Sequence, residues 1–165
     1  MKKFKLTSEF IVDISGVKLF RIKALIEFGN VKAGDLGGYI EKEENLSHMG
    51  DAWVSDDARI SGNAQVFGNA QVFGDAQVFG DARVSGDAQV FGDARVSGNA
   101  RVSGDAQVFG DARVSGDKDY AYAHGFGSCN RTTTFFRLKD GDVGVRCGCF
   151  YGTLAQFRDE VCETH

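Results

Sequence analysis

Ala76-Gln77-Val78-Phe79-Gly80-Asp81-Ala82-Arg83-Val84-Ser85-Gly86-Asp87 is two copies of one six-residue pattern, Ala-x-Val-(Phe/Ser)-Gly-(Asp/Asn). The pattern runs in both directions from there. Alanine stands at 52, 58, 64, 70, 76, 82, 88, 94, 100, 106 and 112, with Val or Ile two places after each. These eleven units span residues 52–117. Self-similarity at a fixed short period is the mark of a solenoid, in which each repeat buries its apolar face only against its neighbours.

Within a unit, Ala and Val are two residues apart and share one strand face, while the Gln or Arg between them points the other way. Gly-Asp or Gly-Asn then supplies a corner, because these residues accept positive φ. Six residues make one side, and three sides make a coil of about 18 residues. The expected fold is all-β: a left-handed parallel β-helix of hexapeptide repeats with about 3–4 coils. Residues 18 apart should stack. One side then carries a Phe73, Phe91, Phe109 column beside a Gln71, Gln89, Gln107 column, while the other two sides are mostly Ser and Arg. The Phe/Gln side is therefore the candidate oligomer interface.

A solenoid needs covered ends, since an open edge recruits further strands. Residues 1–51 read as a small β-rich N-terminal cap, with strands at Lys2–Leu6, Val17–Ile22 and Ala24–Phe28 broken at Gly16 and Gly29. Gly34–Ile40 is glycine-rich but lacks a phosphate-cradle pattern and reads as cap strand and first turn. Residues 118–165 read as a C-terminal ββα element. Its strands are Thr132–Lys139 and Val143–Phe150, and its helix runs from Leu154 to about Glu163. Thr153 is the expected N-cap, with Gln156 closing a capping box.

The 42% hydrophobic content excludes a disordered chain. Glycine at 22 residues with no proline points to fixed turn positions rather than a linker. No apolar run reaches the roughly 18 residues of a membrane span, and no signal-peptide core follows the basic start. A cytoplasmic location and free thiols are the expectation. The formal net charge is −4. The repeat block, with five Arg and nine Asp, holds all of that excess, so direct nucleic-acid binding is not expected.

Chemistry-bearing residues lie outside the coils. The histidines are His48, His124 and His165, and the cysteines are Cys129, Cys147, Cys149 and Cys162. Cys147 and Cys149 on one strand face, with Cys162 and His165, form the alternative metal set. Structural thiols are the preferred reading, because the spacing is not that of a zinc ribbon. A Cys149–His124 nucleophile pair has no supporting motif. No cofactor is expected. A zinc hydratase of the γ-carbonic-anhydrase type would need three coil histidines, which are missing.

Lys32-Ala33-Gly34-Asp35-Leu36-Gly37-Gly38-Tyr39-Ile40-Glu41, then Asn45-Leu46-Ser47, Trp53-Val54 and the hexapeptides, resembles the YdcK-like hexapeptide-repeat proteins of bacteria and their phages over about residues 30 to 117. The tail from Asn130 to Phe150 is similar to an ending of phage-encoded members. The resemblance implies a left-handed β-helix and no settled activity, since acyltransferase-like labels there rest on fold alone. The function expected is that of a non-enzymatic oligomeric interaction protein, a trimer or dimer. In a phage setting it would be an accessory protein binding a host factor, for example inhibiting CRISPR-Cas or a nucleotide-signalling system. A small ligand held at subunit interfaces is a related form. The alternative is a hexapeptide acyltransferase with His124 as base.

Overall fold

The computed structural model describes residues 1–126 and 131–163. Its centre is a parallel β-solenoid of about four turns. Eleven two-residue strands, β4 (Trp53–Val54) to β14 (Arg113–Val114), stack at an offset of 18 residues: Gln71 lies against Gln89 and Gln89 against Gln107. The offset follows from the repeat, because six residues supply one strand and one corner. Every repeat Ala is fully buried, and every Val or Ile two places on is at most 1% exposed. The inward pair thus fills the coil while the intervening Gln or Arg stays outside. From Trp53 to Arg95, each outward residue donates its N–H to an Ala carbonyl of the next coil, as Gln65 does to Ala82 at 2.9 Å.

The corners are glycine above glycine. Gly86 has φ +68, and a Cβ built there would lie 2.9 Å from the backbone nitrogen of Gly104. Positive φ and the close coil below both favour glycine. At the first corner Asp56 takes this role at φ +56 and accepts the Gly74 N–H at 3.1 Å.

The N-terminal segment supplies three longer strands, β1 (Phe4–Val12), β2 (Lys18–Ala24) and β3 (Leu36–Ile40). β1 and β2 form an antiparallel hairpin and β2 pairs antiparallel with β3. β3 then lies parallel to the Arg59–Ile60 strand, so coil stacking extends to Tyr39 and Ile40. The sequence pattern placed a further strand at Ala24–Phe28. Instead β2 ends at Ala24, the Leu25 N–H adds one last bond to the Lys3 carbonyl beside β1, and beyond it only an isolated bridge from Phe28 to Val31 forms.

Two side chains complete the hydrogen bonding of the first coil. Asn45, fully buried, donates to the carbonyls of Gly62 (3.1 Å) and Ala64 (2.9 Å). Lys3, 1% exposed, donates from Nζ to those of Ala52 (2.7 Å) and Gly50 (3.1 Å). Its ammonium also sits 4.6 Å above the Phe28 ring, which packs edge-on against Trp53.

The C-terminal segment has two strands more than its sequence pattern announced. β15 (Tyr120–Phe126), β16 (Arg131–Arg137), β17 (Val143–Cys147) and β18 (Phe150–Thr153) form an antiparallel sheet in that order. One face docks on the last coil through buried Phe136 and through Tyr120, whose hydroxyl donates to the Ser103 carbonyl at 3.1 Å. Burial raises the pKa of that hydroxyl, which keeps its donor proton. The other face carries α1 (Leu154–Glu163), with Phe157 against Phe135 and Phe150. The capping box forms: Thr153 N–H donates to Gln156 Oε1 at 2.8 Å, and Gln156 N–H to Thr153 Oγ1 at 3.3 Å. No helix among the described residues is long and apolar enough to cross a membrane.

Candidate functional site

The 18-residue offset turns the Phe73, Phe91 and Phe109 column into a ring stack. Phe73 and Phe91 have centroids 4.8 Å apart with planes 2° from parallel, and Phe91 and Phe109 are 4.9 Å apart at 4°. The rings are half-buried rather than projecting, because each leans on the one below. Gln71, Gln89 and Gln107 stand beside them, also half-buried. The stack ends against the C-terminal sheet, where Phe109 meets Tyr151 at 4.5 Å and Phe136 at 5.6 Å. The two more exposed repeat phenylalanines, Phe67 and Phe79, lie on the other two sides.

A four-turn parallel solenoid whose Ala and Val columns are fully internal is thus in place. Residues 76–92, 88–104, 94–107 and 106–117 match the model of the YdcK beta solenoid repeat. Residues 76–117 thus carry the YdcK beta solenoid repeat. No curated protein matches the chain.

Outside the coils, each histidine has its own setting. His48 is occupied structurally: Nδ1 accepts the Lys3 N–H at 3.2 Å, Nε2 lies 2.7 Å from Glu43 Oε1, and its ring stacks on Phe4 at 4.4 Å. The Lys2 and His48 hydrogen bonds hold the Glu43 carboxyl below its usual pKa. This cluster borders a groove of about 560 Å³ that reaches Leu46, Gln65 and Phe67. His124 is exposed on β15, with Nδ1 2.8 Å from Thr132 Oγ1 and its ring edge-on to Tyr122. Among the described residues its hydrogen-bond partner is a hydroxyl, whereas a carboxylate orients the general base of a triad.

Cys147 ends β17, and Gly148-Cys149 is the two-residue turn to β18, since Cys147 pairs with Phe150. Cys149 therefore leaves the strand face that the alternation assigned to it. Cys162 is exposed on α1. Among the described residues no three His, Cys, Asp or Glu side chains converge as a metal set. Cys129 and His165 lie outside the described residues.

One site drew no attention in the sequence. Between the last coil and the C-terminal sheet is a cleft of about 340 Å³, lined by Asp105, Gln107, Arg131, Thr132, Thr134 and Arg146, with Gly148 at its edge. Arg146 crosses from β17 to donate Nε–H to Gln107 Oε1 at 3.3 Å, with its guanidinium 5.6 Å from the centre of the Phe109 ring. Thr134 Oγ1 accepts the Gln107 backbone N–H at 3.2 Å. The signal available in sequence was only the alternation Thr132, Thr134, which places both hydroxyls on one face of β16.

Proposed function

We propose that this protein is a non-enzymatic interaction scaffold that associates with copies of itself through the Phe/Gln side of its solenoid. The carrying observation is the continuous half-buried ring stack of Phe73, Phe91 and Phe109 beside a column of glutamines. A flat side with aromatic rings and amide groups suits an interface, where burial of each remaining ring face adds apolar contact and glutamine supplies hydrogen bonds. Closed association leaves no apolar stripe in water.

Within this proposal the solenoid winds left-handed as a three-sided hexapeptide helix in a reducing cytoplasm. The 18-residue offset and one glycine corner per six residues support that winding. A host protein is the proposed further partner, supported by the resemblance of the tail to phage-encoded endings. Light scattering of the purified chain tests self-association. The wild type should be a dimer or trimer and Phe91→Glu a monomer. A monomeric wild type, with the variant indistinguishable from it, would refute the interface.

A further inference from the structure

We propose that the cleft between the last coil and the C-terminal sheet binds a small phosphate monoester. Two guanidinium groups from different strands face one cavity, and no described carboxylate lies within ion-pair distance of either. Arg146 spends Nε on Gln107, which leaves its four terminal N–H groups for a ligand. Thr134 accepts from the Gln107 backbone, which leaves its own hydroxyl hydrogen to donate.

Such a donor set, two guanidinium groups and a hydroxyl, exceeds what the two oxygens of a flat carboxylate can take. The three terminal oxygens of a phosphate ester match it. The volume, about 340 Å³, falls at the small end of the range for small-molecule sites and leaves room for an organic group beyond the phosphate. Asp105, which also lines the cleft, offers an acceptor to a hydroxyl on the organic group, a contact that inorganic phosphate lacks. The excess of Asp over Arg in the adjoining coils repels a nucleic-acid backbone, which would have to run alongside them. Gly148 holds the geometry open: at φ +58, any Cβ there would overlap the Arg131 guanidinium.

Calorimetry on the full chain, with glycerol 3-phosphate, inorganic phosphate and acetate as probes, tests this. Saturable binding of glycerol 3-phosphate is expected, tighter than either other probe. Arg131→Gln and Arg146→Gln should each weaken it about tenfold or more, as loss of a charge-assisted pair does. Gly148→Ala should weaken it by displacing Arg131. Arg113→Gln, an arginine on a coil side, should leave it unchanged. Among the described residues Arg131 makes no hydrogen bond to the coils, so Arg131→Gln should keep the wild-type thermal transition even if Arg146→Gln loosens the sheet. Absence of saturable binding at millimolar ester overturns the proposal. So does acetate or inorganic phosphate binding as tightly as the ester, or Arg113→Gln losing as much as Arg131→Gln.

Discussion

The buried ammonium of Lys3 makes the stability of the N-terminal end depend on alkaline pH, with a sign that can be worked out. Burial lowers the Lys3 pKa from 10.5 to about 8, with nearby Asp51 opposing the shift. Between those values the unfolded chain binds the proton and the folded one releases it. Stability therefore rises with pH from about 8 and levels off above 10.5. The penalty for the buried charge is fully present below pH 8. The full interval corresponds to about 3 kcal/mol, most of it gained by about pH 10. Deprotonation need not break the cap, because the neutral amine still has two N–H groups for the two carbonyls of Gly50 and Ala52.

Lys3→Met removes the titration and the donors together. At pH 7 two effects oppose: relief of the buried charge, and two carbonyls deprived of a donor at about 1–3 kcal/mol each. The variant should then lie within about 2 kcal/mol of wild type. At pH 10 only the second effect remains, and the variant should fall behind by about 2–3 kcal/mol more than at pH 7. Trp53 is the one tryptophan, 4% exposed and packed against Phe28 under the Lys3 ammonium, so its fluorescence reports this end. Urea unfolding followed by Trp53 emission at pH 7, 8, 9 and 10 measures the difference, in which titrations common to both proteins cancel. Parallel pH profiles for the two proteins would show that the Lys3 ammonium is not held in a desolvated site.

Asn45→Ala strips the donors from the Gly62 and Ala64 carbonyls and should cost about 2–4 kcal/mol in the same urea assay; a cost below about 1 kcal/mol would mean that water replaces the amide. Gly86→Ala meets both positive φ and the Gly104 backbone, whereas Gly16→Ala at φ +82 meets nothing within 4 Å. The first should cost about 2 kcal/mol or more and the second about 1 kcal/mol, so thermal melts that shift equally would remove the stacking contribution.

The coils were legible because their determinants are local. Ala, Val and Gly recur in a fixed order, and the same three residues decide burial, strand face and corner in every unit. Helix α1 was legible for the same reason, since Thr153 and Gln156 act within one turn. Strand β15 was not: Tyr120-Ala121-Tyr122-Ala123-His124 has no apolar run, and its tyrosines find their places only against Ser103 and Gly104 of the coil above. Lys3 reads in sequence as a solvated terminal charge. Its burial depends on carbonyls 47 and 49 residues away. The arginine cleft needs Arg131, Arg146 and Gln107 together, which no single segment contains.

The direction of the ladder explains why the two ends are finished with different chemistry. Each coil donates the N–H groups of its outward residues to the Ala and Val carbonyls of the coil that follows. The first coil therefore presents carbonyls with no coil before it, and the last presents N–H groups with no coil after it. The N-terminal end meets its need with donors: the Tyr39 N–H to Ala58, the Asn45 amide to Ala64 and the Lys3 ammonium to Ala52. The C-terminal end meets the opposite need with acceptors. Thr134 Oγ1 takes the Gln107 N–H, and Asp119 Oδ2 takes the Ser115 N–H at 3.0 Å. Hydrogen bonds from Ser115 hold the Asp119 carboxyl below its usual pKa, which favours the ionised acceptor. A cationic donor at one end and an anionic acceptor at the other are thus dictated by the polarity of a parallel ladder. The same need for acceptors at the last coil is what brings Thr134, and with it the arginine cleft, against the solenoid.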